Sequence, residues 1–257
     1  MDFVTRFLPD NQYVALFGFV TFVGCFALVA ALELVRPARR GTTGREGRMS
    51  VNFGLGLFNM AVSALLPVSS LAMATLAQSE GWGLFQLWPM AWYAATPLLL
   101  LAKSLLNYWL HRGFHTLSWL WPLHAVHHRD DAIDLSTSFR SHPLSYLLLL
   151  VPNALLILAL GPDIWTTLIA EAILLFAILF QHANFHISDR VSARLERWLI
   201  TPRMHLVHHA RERHLHDGNY GEIFAFWDHV FGTYKTPPEG AMAIGVESPV
   251  RQLWQWR

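Results

Sequence analysis

Three apolar runs in this 257-residue chain, 13–35, 53–77 and 91–110, are each long enough to cross a bilayer as a helix, which takes about 20 residues. A fourth, 144–181, is interrupted by Gly161-Pro162-Asp163, a turn signal. It reads as two helices in a hairpin, either full spans or a re-entrant pair. Inside a membrane each backbone amide must find its partner within the protein, which for single runs of this length means helices. The expected fold is all-α, a multi-span transmembrane helical bundle. Composition agrees: charged residues are 14% of the chain, against roughly 25% in ordinary soluble proteins. The length and arginine-rich flank of the first run favour a retained anchor over a cleaved signal peptide. A net charge of +1 gives no reason to expect a nucleic-acid partner.

Loop charge sets the expected orientation. Residues 36–48 hold five arginines, whereas residues 78–90 hold no Lys or Arg. By the positive-inside rule the first loop is cytoplasmic and the second is not. Counting onward, residues 111–143 return to the cytoplasm, and the hairpin leaves and comes back, so 182–257 end there too. Arg190, Arg194, Arg197, Arg203, Arg211 and Arg213 support that placement. The localisation expected is an integral, multi-pass one, in the inner membrane if the cell is bacterial. Spans and an Arg-rich loop occupy 1–90, a chemistry-bearing region 91–236 and a tail 237–257.

Ten of the fourteen histidines lie in four clusters: HRGFH (His111, His115), HAVHH (His124, His127, His128), HANFH (His182, His186) and HLVHH (His205, His208, His209). On a helix, residues i, i+3 and i+4 share a face, so each cluster can aim two or three imidazoles at one point. Histidine is the commonest metal ligand among side chains. Cys25 is the only cysteine, which excludes an internal disulfide, a CxxC zinc site, a four-thiolate cluster and a c-type haem signature. There is no HExxH and no Glu-x-x-His. Ten imidazoles exceed one closed tetrahedral site more than twofold. The inference is a dinuclear, almost wholly histidine-built site, carried by a cytoplasmic helical cap where helices leave the membrane.

The four boxes, in order, resemble those of the fatty acid hydroxylase/sterol desaturase superfamily of integral-membrane di-iron oxygenases. The flanking text is also similar: Ser138-Phe139-Arg140-Ser141-His142-Pro143 after the second box, Asn219-Tyr220-Gly221 after the last, then Trp227-Asp228 and Phe231-Gly232-Thr233-Tyr234. The resemblance covers about residues 95–236. It implies that the ten box histidines hold two iron ions that activate O2 to hydroxylate or desaturate a lipid. Sterols, fatty acyl chains, alkylglycerols and carotenoids are all candidates. It also implies an external electron donor, a cytochrome b5-like protein or a ferredoxin/reductase chain, because no flavin, cytochrome or ferredoxin motif is present. Two other readings use the same histidines: a membrane metal transporter or sensor, and a zinc-bound pseudoenzyme. A transporter, however, needs ligands near the bilayer midplane in broken helices.

Outside the boxes, His142 is a candidate to support the metal ligands, with direct ligation the lesser reading. His214 and His216 read as solvated or locally bonded, and His229 as packed. Glu171 and Lys103 sit within apolar runs, where an ionisable residue is a functional candidate or half of an internal pair. Some of Asp130, Asp131, Asp134, Asp189, Asp217 and Asp228 are expected to accept N–H bonds from ligand imidazoles. Asn219 reads equally as an orienter of water and as a turn residue.

Overall fold

The computed structural model describes residues 12–40, 45–66, 68–238 and 242–246. The proposed tail 237–257 therefore falls mostly outside the described residues. Regular structure among them is helical, with only isolated β-bridges, such as Pro37 to Phe185.

Helix α1 (Gln12–Val35) is apolar around its whole circumference and leaves Phe19, Val20, Leu28 and Leu34 exposed. An all-round apolar helix needs an apolar surround, and here lipid supplies it. Helix α2 (Arg45–Ala64) follows. The expected continuous span over 53–77 is not formed. Ser69 opens a new helix, α3 (Ser70–Glu80), by accepting the Ala72 amide, and Gly81 closes it in the left-handed region. Pro67 lies between the two helices, and a proline has no amide for a continuous helix. The short α4 (Leu84–Leu87) leads to α5 (Trp92–Thr116), and the α3–α4 segment meets α5 at a 90° bend. Helix α5 runs past the expected 110 and so carries His111 and His115 on its last turns.

Next come α6 (Trp121–His128), a 3₁₀ turn (Leu135–Phe139) and the hairpin of α7 (Pro143–Leu160) and α8 (Ile164–His182). Asp163 caps α8 through the Thr166 amide, and Gly161 ends α7 at φ +61°. Four short helices complete the chain: α9 (Asp189–Leu195), α10 (Pro202–His208), α11 (Arg213–His216) and α12 (Phe226–Val230). Helices α1, α7 and α8 are each long and apolar enough to cross a membrane; α3–α4 and α5 qualify only as the bent pair.

Helices α3, α5, α7 and α8 pack around Leu99, Ile157, Ala170 and Leu174. Helix α1 packs on α8 around Val29 and Leu179, with Phe22, Phe26, Phe53 and Phe139 ring to ring beside them. One end of this bundle is stitched by polar contacts. Glu33, at the end of α1, accepts the amides of Leu135 (2.8 Å) and Asn184 (2.7 Å). Arg48 on α2 pairs with Asp130 (2.9 Å) and Asp134, all nearly buried. Removing one partner of such a network leaves an uncompensated buried charge, worth roughly 3–5 kcal/mol. The opposite end is closed by backbone: Gly83 and Gly161 approach so closely that a Cβ on Gly161 would stand 2.1 Å from the Trp82 carbonyl oxygen. Gln86 adds a bond to the Gly161 carbonyl oxygen (2.8 Å).

Candidate metal centre

The histidines arrive on four helix ends. Helix α5 brings His111 and His115, α6 brings His124, His127 and His128, α8 ends on His182, and α10 brings His205 and His208 with His209 as its C-terminal cap. Pro122 and Pro202 stand in the first turns of α6 and α10, where a proline costs no hydrogen bond, and Thr201 caps α10 through the Met204 amide. Each short helix therefore begins one turn before its histidines.

Nine imidazoles fall into two groups. His111, His115, His124, His128 and His208 form one; His127, His182, His205 and His209 form the other. Within each group one nitrogen per ring lies within 4.8 Å of all the others. The HHs split between the groups, His127 from His128 and His208 from His209, so α6 and α10 each serve both.

His186 is not brought in. Helix α8 stops at His182 and the chain turns extended, with the His186 amide bonded to the Arg36 carbonyl oxygen and its ring exposed. The i, i+4 spacing of HANFH carries no helical meaning once the helix has ended. His216, read from sequence as solvated or locally bonded, is locally bonded, its Nδ1 lying 3.0 Å from the Ala210 carbonyl oxygen, and its ring is buried as well. Its ring stacks on Trp121 at 5.2 Å, and with Asp217 it approaches His115. The signal for it was its place before Asp217-Gly218-Asn219, a stretch that folds back over the centre.

The ring tautomers follow from backbone carbonyls rather than from the expected aspartates. His111 Nδ1 donates to Tyr220 O (2.9 Å), His127 to Arg140 O (3.0 Å), His182 to Ile178 O (2.7 Å) and His208 to Gly218 O (2.7 Å). Asp130 and Asp134 serve Arg48, and Asp228 accepts the amides of Tyr220 (2.8 Å) and Gly221 (3.0 Å). Of the six aspartates only Asp217 faces imidazoles, 3.4 Å from His115 Nδ1 and 3.7 Å from His216 Nε2. Asn219, at φ +56°, spends its amide on the backbone of Met204 and Lys235, a turn role. His142 caps α7, His229 donates to Glu196 O (2.8 Å), and Lys103 pairs with Glu171.

With Nδ1 donating, Nε2 is a bare acceptor. His127 and His182 both donate through Nδ1, yet their Nε2 atoms stand 3.1 Å apart, lone pair to lone pair. His182 and His205 repeat this closeness at 3.0 Å, His205 and His209 at 3.2 Å, and His111 and His124 at 3.0 Å. His208 Nε2 and both nitrogens of His128 are buried without any partner. Buried polar atoms are normally satisfied, so this arrangement asks for cations. Metal–nitrogen bonds of roughly 2.0–2.1 Å put neighbouring ligand nitrogens about 3.0–3.4 Å apart, matching these separations. Burial first, then the neighbouring imidazoles, pushes His124, His128, His205, His208 and His209 well below the usual 6.5 and His127 to about 3. At neutral pH they are uncharged, the form that binds metal. The residues fit a metal cofactor.

Both groups border a cavity of 330 Å³, fronted by His111, His124, His127, His182 and His205 and walled by Leu149, Leu150, Leu174 and Ile178. A larger groove of 530 Å³ beside α1 and α2 touches no histidine.

The chain is 32% identical to human alkylglycerol monooxygenase over 66% of its own length and 37% of that protein's. It is 27% identical to the ornithine lipid hydroxylase OlsE of Rhizobium tropici (90% of this chain, 71% of the relative). It is 31% identical to the Delta(7)-sterol-C5(6)-desaturase of Nicotiana tabacum (57% and 51%). The chain thus spans little more than a third of the alkylglycerol monooxygenase. No solved structure matches. The fatty acid hydroxylase profile matches residues 96–233, more than half of the chain, and the chain belongs to that family.

Proposed function

We propose that this chain is a membrane-bound oxidoreductase that uses O2 and electrons from an external donor to hydroxylate a lipid. The observation that carries this reading is the convergence of nine imidazoles in two groups, five of them fronting one leucine- and isoleucine-walled cavity. Relatives named as lipid hydroxylases and a sterol desaturase support it. Two irons are the proposed metals. His111, His115, His124, His128 and His208 would hold one; His127, His182, His205 and His209 would hold the other. Bound there, the irons supply the O2-derived oxidant that a strong C–H bond requires. The balance is R–H + O2 + 2e⁻ + 2H⁺ to R–OH + H2O; desaturation at such a site would release two waters and leave C=C.

The protein's own contributions are positional. The carbonyl oxygens of Tyr220, Arg140, Ile178 and Gly218 lock the Nδ1–H tautomers and aim each Nε2 inward. The leucine and isoleucine walls bind the alkyl part and exclude water. The histidine end of the bundle is assigned to the cytoplasmic side, where a cytochrome b5-like or ferredoxin-type donor can dock, and substrate enters from the bilayer.

Protein purified without oxygen should carry close to two irons per chain. With reductant and ¹⁸O2 it should add one heavy oxygen to a membrane lipid. A preparation that holds zinc alone under those conditions, or loads iron and yields no oxidised lipid, would overturn the assignment.

A further inference from the structure

Beside the imidazoles, the cavity wall turns polar. Asn153 on α7 donates to Asn107 Oδ1 (2.6 Å), and Asn107 on α5 donates to the Glu222 carboxylate (2.7 Å). This one-way chain leaves Asn153 Oδ1 as an acceptor without a partner, in a side chain 9% exposed. Gln181, 4% exposed and also on the cavity wall, has its Oε1 unpartnered as well. An unmet buried acceptor costs about as much as a lost hydrogen bond, and two of them on residues that line one cavity are not a packing requirement. The cavity's cations are already engaged: Lys103 with Glu171, and Arg140 with Val126 O (2.7 Å) and Asn52 Oδ1 (3.0 Å). The wall therefore offers acceptors and no spare cation.

The geometry points to a head-group subsite, made by Asn107, Asn153, Gln181 and Glu222, that receives a hydrogen-bond donor of the lipid, a hydroxyl or an ammonium, and rejects a phosphate. Its position also sets where oxidation falls. Asn107 precedes His111 by one turn of α5, roughly 6 Å of rise, and Gln181 adjoins His182. A head held there leaves only carbons within some four or five bonds of it beside the imidazoles. The oxidised C–H lies near the polar head, not at the far end of the chain. This rests on the oxidative reading above.

The test uses the full-length protein in detergent and four amphiphiles of one chain length: an alcohol, an amine, the methyl ether of the alcohol and its phosphate monoester. Affinities are read by calorimetric titration, and oxidation positions by mass spectrometry of the products. The alcohol or the amine should bind about tenfold tighter than the ether and the phosphate, and whichever wins names the head. Asn153→Leu should erase the preference with iron content unchanged. If that variant does not fold, the wild-type ranking decides alone. Ether or phosphate binding as tightly as both donors, or product oxidised far from the head, would overturn the subsite. Oxidation without head-group preference removes the subsite and leaves the oxidative function standing. Head-group preference with no oxidised product does the reverse.

Discussion

At the scale of single residues, the spacing of histidines carries information only while the backbone stays helical. HLVHH sits on a capped helix, and its three rings reach the centre. HANFH straddles a helix end, and His186 is lost to the surface. The consequence is a sharp contrast. If the site holds the two irons proposed, His205→Ala should remove one of them by elemental analysis, His186→Ala should leave the metal content intact, and loss of metal in His186→Ala would contradict the ligand set. His216 shows the reverse failure: it belongs to no recurring spacing, so only the folding of residues 213–220 over the site makes it visible. The aspartates misled for a related reason, because backbone carbonyls left open at helix ends and loops took the imidazole N–H bonds that carboxylates were expected to take. Protonation gives a second residue-level outcome. The buried histidines have folded values below the 6.5 of the unfolded chain. The unfolded state therefore binds more protons below 6.5, and stability falls as pH drops. Chelator-stripped protein should melt at a lower temperature at a pH of about 5.5 than at about 7.5, the range bracketing the free imidazole value. An unchanged melting temperature would contradict the burial.

At the scale of elements, one break in the apolar runs was legible and another was not. The turn at Gly161-Pro162-Asp163 was readable because glycine, proline and a capping aspartate coincide in an otherwise apolar run, and the hairpin of α7 and α8 forms there. The interruption between α2 and α3 was hidden by continuous hydrophobicity on either side, although Pro67 and Ser69 marked it. The hairpin turn is also where two backbones meet most closely. Gly161 combines φ +61° with a would-be Cβ 2.1 Å from the Trp82 carbonyl oxygen; Gly232, at φ +67°, has open space around it. Placing alanine in the left-handed region costs about 1–2 kcal/mol by itself. Gly232→Ala should lose about that much, and Gly161→Ala a further 1–3 kcal/mol from forced separation of the turn and the α3–α4 segment. Paired denaturation curves measure the difference, and equal losses would show that the close approach bears no energy.

For the molecule as a whole, the decisive property is that the chain keeps returning to one end. Helix α1 finishes there at Glu33, α2 starts there at Arg48, and α5 and α8 end there at their histidines. The far end holds Gly83 and Gly161 with Gln86 between α4 and the hairpin turn. Loop charge led to the expectation of such an alternation with two further spans, and in their place the chain forms the α3–α4 segment and α5 with a 90° bend between them. What charge could not supply is the depth of the centre, which depends on how far α5 extends beyond its apolar stretch. The alternation gives an expected labelling pattern. In a Cys25→Ser background, Arg194→Cys on α9 places a thiol at an exposed site near the histidine end. Glu80→Cys, at the exposed end of α3, places one at the opposite end. In intact cells a membrane-impermeant maleimide should label Glu80→Cys and spare Arg194→Cys until the membrane is opened, if the histidine end lies inside as the positive-inside rule expects from the five arginines of residues 36–48. Labelling of both thiols in intact cells would mean that the two ends of the bundle do not lie on opposite sides of the membrane. Labelling of Arg194→Cys alone would invert the orientation and place the centre away from any cytoplasmic electron donor.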